Sequence, residues 1–227
     1  MRVLAIDTAL EACAAAVLDT ELGAITAHES LTMARGHAEA LIPLIARVTE
    51  KAKLNFTALD RVAVTTGPGS FTGLRVGISA ARGIALAAGK SAIGLSTLAA
   101  YAAPLIAADD TLPVVVAIDA RHDHVYLQVF GPGGRTIVTP RLASLRDALR
   151  AASTGAPRLV GTAAAIMAAA WPAGERAPSS IDARRAPDVD WVARLGAAAT
   201  ETGAAPKPLY LRAPDAQPQD AARLARR

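Results

Sequence analysis

The stretch 3-VLAIDTALEACAAAVLD-19 runs from an apolar segment into an aspartate, turns over small and polar residues, and returns as a second apolar segment. Val3–Ile6 reads as a buried strand, Asp7 opens a turn, and 12–19 reads as the returning strand, although Ala14-Ala15-Ala16 is weak strand composition. Later, 113-PVVVAIDARHDHVYLQVF-130 repeats the plan, with Ala117-Ile118-Asp119 in the place of Ala5-Ile6-Asp7. Two copies of one hairpin in a chain of 227 residues predict an α/β protein of two related lobes, each a mixed β-sheet with flanking helices.

Composition narrows the class. The chain is 52% apolar but only 4% aromatic, which suits a globular core and argues against a stacking platform for single-stranded nucleic acid. The high pI has a local source: 8 basic and 5 acidic residues lie from Arg184 onward, against 16 and 15 before it. A solvated basic tail explains that excess, and an RNA-touching arm is the functional alternative. Cys13 is the sole cysteine, which excludes an internal disulfide or a cysteine-rich metal site. Asp7 interrupts what would be the apolar core of a leader peptide, and the longest apolar run, 98-LAAYAAPLIAA-108, is short for a membrane span and contains Pro104. A cytoplasmic protein is expected.

The first lobe is expected over 1–108 and a smaller second lobe over 109–187. A C-terminal helix and strand over 188–212 should pack back on the lobes, and 213–227 is expected to be disordered. In 36-GHAEALIPLIARVTEKA-52, Leu41, Leu44, Ile45, Val48 and Ala52 share one helical face, with Pro43 expected to kink the helix or mark an irregular first turn. A strand at 61–66 leads into 65-TTGPGSFTGLRVG-77 and a helix from about Leu74 to Ala88. In the second lobe we expect a helix over 142–152, a strand at 158–161, a helix over 162–171, a loop over 172–180, and a helix over 188–200 capped by Asp188 or Asp190.

The loop Gly67-Pro68-Gly69-Ser70-Phe71-Thr72-Gly73, with Arg75 just beyond, has the strand–loop–helix setting of a phosphate cradle. Its details do not fit. Pro68 has no amide to give, the glycine spacing is not Gly-x-Gly-x-x-Gly, and no Gly-Lys-Ser/Thr follows. Gly73, Gly77, Ala80 and Ala81 instead give the following helix a shallow face for close packing, on this protein or on a partner. A nucleophile reading also fails: Ser70 is not in a Gly-x-Ser-x-Gly elbow, and Cys13 has nothing nearby to activate it.

Two lobes that each open with such a hairpin resemble the actin/Hsp70/sugar-kinase (ASKHA) superfamily, whose hairpin turns clasp nucleotide phosphates. The Asp-x-Gly-Thr/Ser motif of that superfamily is Asp7-Thr8-Ala9-Leu10 here, and its late paired glycines are reduced to Gly161 in 159-LVGTAAA-165. Asp7 is thus the remnant of a nucleotide motif. The match tightens to the TsaB (YeaZ) family through AIDTALEACAAAVLD, GPGSFTGLRVGISAARGIAL, GLSTLAA, AIDARHDHVY and PLYLR, in the family's order. The resemblance implies a non-catalytic scaffold subunit for making threonylcarbamoyl-adenosine (t6A) in tRNA, with the catalytic paralogue TsaD and the ATPase TsaE as partners. It also implies a homodimer when alone, tRNA contact through the complex only, and no cofactor in the isolated chain, with ATP or ADP confined to the complex. First-lobe helices form the family's partner contact, which here points to His37, Leu41, Leu44, Ile45, Phe71, Leu74, Gly77, Ile78 and Ala81. The paralogue's His-x-Glu-Ala-His metal motif reads His37-Ala38-Glu39-Ala40-Leu41, and a leucine cannot be a ligand. His122-Asp123-His124 stands where the family has x-Gly-Glu and reads as a solvated turn rather than a metal cluster. The rival expectation is an ATPase or kinase-like enzyme that keeps nucleotide chemistry at Asp7.

Overall fold

A computed structural model describes residues 1–153, 155–201 and 203–212. The first lobe runs β1 (Arg2–Asp7), β2 (Ala12–Asp19), β3 (Ala24–Thr32), α1 (His37–Lys51), β4 (Arg61–Gly67), α2 (Phe71–Ala88), β5 (Ser91–Ser96) and α3 (Thr97–Ala108). The second runs β6 (Val114–Asp119), β7 (His124–Phe130), β8 (Thr136–Ser144), α4 (Leu145–Ala152), β9 (Arg158–Val160), α5 (Ala164–Ala169), β10 (Ser180–Asp182) and α6 (Val189–Ala198). The sheets have the orders β3-β2-β1-β4-β5 and β10-β9-β6-β7-β8, which are one order read from opposite edges. In each, the first three strands are antiparallel and the last two join in parallel. The repeat seen in the two Ala-Ile-Asp segments therefore extends strand by strand over both lobes, giving the two-lobed ASKHA architecture.

The alanines of β2 have a packing reason. Cys13, Ala15 and Val17 face α1 and α2, while Ala14, Ala16 and Leu18 face α6, so helices lie on both faces of the strand. Small side chains let those helices approach closely.

The last helix of each lobe is exchanged. Leu98, Tyr101 and Ala102 of α3 pack on Val114, Val116, Ile118, Phe130 and Val160 of the second sheet. Val189, Val192 and Ala193 of α6 pack on Val3, Ala5, Ala14, Ala16, Leu18 and Ala63 of the first. A Cβ at Gly196 would run into that of Ala63, so α6 lies close against β4.

Several elements differ from expectation. The edge strand β3 had no expected counterpart. The segment 142–152 is divided: β8 runs to Ser144, whose hydroxyl accepts the Asp147 N–H at 3.1 Å and starts α4. Helix α2 begins at Phe71, because the Ser70 hydroxyl caps it by accepting the Gly73 N–H. Pro43 lies inside α1, which runs unbroken from His37 to Lys51. As expected, Asp188 caps α6, accepting the Asp190 N–H at 2.9 Å. Residues 203–212 contain no strand, although Leu209 N–H bonds to the Thr66 carbonyl. The tail expected at 213–227 lies outside the described residues. Among the described residues no helix is long and apolar enough to cross a membrane.

Candidate functional site

The carboxyl end of β1 is the chemical centre of the first lobe. Asp7 Oδ1 accepts the Ala9 N–H at 3.2 Å and the Thr65 hydroxyl at 2.5 Å, while Oδ2 is buried with no hydrogen-bond partner among the described residues. Burial pushes this carboxyl up to about 6, against the pull of those two hydrogen bonds and of nearby His37. Asp119, its counterpart in the repeat, accepts the Arg121 N–H at 2.8 Å in the same kind of turn but is exposed. One local motif thus has a sealed copy and an open copy.

What seals the first copy is the glycine-rich loop. Gly69, Gly73 and Gly77 recur every four residues and form one face at the start of α2. A Cβ on them would collide with the Ala9 carbonyl, the Thr8 carbonyl and the Thr8 hydroxyl respectively. Ser70 N–H donates to the Ala9 carbonyl at 2.7 Å, and the Thr8 hydroxyl donates to the Gly73 carbonyl at 2.7 Å. The glycines therefore admit the backbone of this protein's own hairpin turn. His37 braces the turn from α1: its Nε2 lies 3.1 Å from the Leu10 carbonyl, so the proton sits on Nε2.

The residues expected at a partner contact need correction on burial. His37, Leu41, Leu44, Ile45, Leu74, Gly77, Ile78 and Ala81 are all turned inward. Apolar periodicity marks the face a helix shows its own sheet. The outward faces of α1 and α2 carry other apolar side chains, Ile42 at 56% exposure and Leu86 at 83%, with Phe71 at 52% at the start of α2. The signal for Ile42 and Leu86 was available: each is apolar and falls off the inward stripe.

A cleft of 840 Å³ lies between the lobes, lined by Glu11, Ser70 and Phe71 on one side and Asp119, Arg121 and Thr162 on the other. Arg185 and Arg212 also reach it, and Arg185 bridges to Glu11 at 2.5 Å. Asp7 does not line it. In the second hairpin turn Arg121, His122 and Asp123 all have left-handed backbones, φ 63°, 51° and 56°. Asp123 thus keeps the conformation that a glycine would favour. His122 and His124 are exposed, and His124 Nδ1 lies 2.6 Å from the His122 carbonyl. Among the described residues no group of three His, Cys, Asp or Glu could hold a metal ion. Cys13 is buried, and burial together with the Asp7 charge pushes its thiol up to about 11. Ser70 spends its hydroxyl on the cap of α2.

Comparison with known proteins agrees with this geometry. Residues 27–174 match the family model described as TsaD: tRNA N6-adenosine threonylcarbamoyltransferase. The tRNA threonylcarbamoyladenosine biosynthesis protein TsaB of Escherichia coli is 40% identical over 126 residues, 56% of this chain and 53% of that protein. The chain thus spans about half the length of such curated relatives. An uncharacterized protein of Mycobacterium tuberculosis is 34% identical over 95% of this chain and 94% of its own. Among solved structures, YeaZ from Pseudomonas aeruginosa superimposes with a TM-score of 0.76 at 28% identity, over 92% of this chain and 99% of that one. A second Pseudomonas aeruginosa structure, described as an uncharacterized protein with similarity to peptidase YEAZ, gives 0.79 at 28% identity, over 93% and 99%.

Proposed function

Since the chain belongs to the TsaB (YeaZ) family, we propose that it is a non-catalytic subunit of the machinery that makes t6A in tRNA, acting by binding and activating the paralogue TsaD. The observation that carries the non-catalytic reading is the sealed hairpin: Asp7 is fully buried, and its hairpin turn packs against the glycine loop. Leu41, in place of a second metal histidine, is a core side chain at 1% exposure. The outward apolar residues Ile42, Leu86 and Phe71 offer first-lobe helices a surface for a protein partner or, in the isolated protein, a second copy. TsaE and ATP or ADP belong to the assembled complex, tRNA is met through it, and the site of action is the cytoplasm. Purified chain should co-elute with TsaD, and reconstituted tRNA modification should fail without it. Modification at full rate in its absence would end this reading.

The competing reading is a nucleotide-dependent enzyme. The inter-lobe cleft, with Arg121, Arg185 and Arg212 at its edges, is the feature that favours it. Calorimetry decides: it requires ATP binding by the isolated chain that is weakened in Arg121→Ala or Arg185→Ala, since both side chains line the cleft.

A further inference from the structure

Among the described residues beyond α6 there is no regular structure, yet residues 206–212 are tied down at several points. The Leu209 N–H donates to the Thr66 carbonyl at 2.7 Å. Pro206 lies against Gly94 and the Leu209 carbonyl against Gly67, so closely that a side chain on either glycine would press into the segment. Tyr210 stacks on Phe71 with ring centres 5.5 Å apart and planes 26° from parallel. Its hydroxyl accepts from Arg75 Nε at 3.1 Å, and the Arg75 guanidinium covers the Phe71 ring at 3.8 Å. All of these anchors are on the first lobe. Two residues later Arg212 Nη1 donates to the Ala120 carbonyl, at 2.9 Å, in the second lobe's hairpin turn.

Phe71, Ala120 and Arg212 line the same cleft. We propose that residues 206–212 are a strap that holds the inter-lobe cleft closed, and that releasing it lets the lobes part at the second hairpin. Another tie across this cleft, Arg185 to Glu11, joins side chains that are 71% and 43% exposed, where solvent screening leaves an ion pair weak. The strap's tie is a charge-assisted bond to a carbonyl from a part-buried arginine. It also grips a turn that needs support, since three consecutive non-glycine residues there hold left-handed backbones.

Hydrogen exchange and a spin-label distance on the full chain test the strap. Arg212→Gln leaves the Phe71–Tyr210 stack in place and removes the second-lobe anchor. It should speed amide exchange over 119–124 by roughly tenfold or more, while β1 and β4 amides stay protected. Labels at Thr72→Cys and, away from the turn, Thr139→Cys on β8, both exposed, should give a longer or broader distance distribution in the Arg212→Gln background. Adding Tyr210→Ala should further expose the Leu209 amide and 67–75. Unchanged exchange over 119–124 overturns the proposal. So does faster exchange with an unchanged label distance, which would mean local loosening of the turn. If the double variant does not fold, Arg212→Gln alone decides between these outcomes.

Discussion

Gly73→Ala tests whether the glycine loop exists for the hairpin. On an exposed helix the change would stabilise by about 1 kcal/mol, because alanine has the higher helix propensity. At position 73 the new Cβ meets the Thr8 carbonyl, which is backbone and cannot swing away. Forcing atoms into a packed site costs about 1–3 kcal/mol. Displacing the turn also strains the 2.7 Å bond from the Thr8 hydroxyl to the Gly73 carbonyl, worth about 1 kcal/mol. The sum favours a loss of about 1–3 kcal/mol. Gly83→Ala, on the same helix, is the control: nothing lies within 4 Å of its added Cβ, so only the propensity gain remains. Urea denaturation with m-values checked for constancy reads both. The expected result is a lower midpoint for Gly73→Ala and an equal or higher one for Gly83→Ala. Equal stability of the two variants would refute the claim that helix and hairpin are in backbone contact.

The pH dependence of Asp7 has a definite sign. Its carboxyl sits at about 6 when folded against 3.8 as a free group, so the folded state holds the proton more tightly and stability falls as pH rises from about 4 to about 6, by about 3 kcal/mol in total. Asp7→Asn should therefore gain stability relative to the parent between pH 4 and pH 7, as denaturation at each pH will show. The difference between the two proteins isolates Asp7 from Asp19, Glu29, Asp109 and Asp182, whose hydrogen bonds hold their carboxyls low and act in the opposite direction. Arg158 donates to the carbonyls of Leu105, Asp109 and Leu112 at 2.6, 2.5 and 2.8 Å, gathering the end of α3. Arg158→Ala should cost about 2–4 kcal/mol in a thermal melt, and Arg158→Lys should rescue little of it because an ammonium cannot span three carbonyls. Leu86→Asp, at an 83% exposed position, should leave the melting temperature within a degree or two and weaken co-elution with TsaD; unweakened co-elution would remove Leu86 from the contact.

The fold was legible where apolar runs met an aspartate. Ala5-Ile6-Asp7 and Ala117-Ile118-Asp119 end the matching strands of two sheets with one strand order. Strand β3 was not legible, because an edge strand with an exposed, polar sequence such as AITAHESLT lacks the apolar signal of a buried one. The end of β8 was hidden by α4, whose apolar periodicity overlaps it. At the site, the identity of the loop as a tight helix entry was readable from Pro68 and the glycine spacing. What it packs against was not, because Thr8 and Ala9 are distant in sequence and meet the loop only through the parallel pairing of β1 with β4. The residues read as outward-facing on α1 and α2 are buried for a physical reason: the repeating apolar stripe that includes Leu41 is the face a helix turns to its own sheet, whereas Ile42 falls off it.

The exchange of α3 and α6 sets an order on biosynthesis. The first sheet is complete at Ser96, yet the helix that covers one of its faces ends at Ala198. At a synthesis rate of about 5–20 residues per second, the intervening stretch of about a hundred residues leaves that apolar face waiting for about 5–20 s. Val3, Ala5 and Leu18 are its sticky surface during that wait. A nascent chain halted before α6 should bind holdase chaperones or pair with other halted copies, and a chain cut at 108 should aggregate rather than survive as a free lobe.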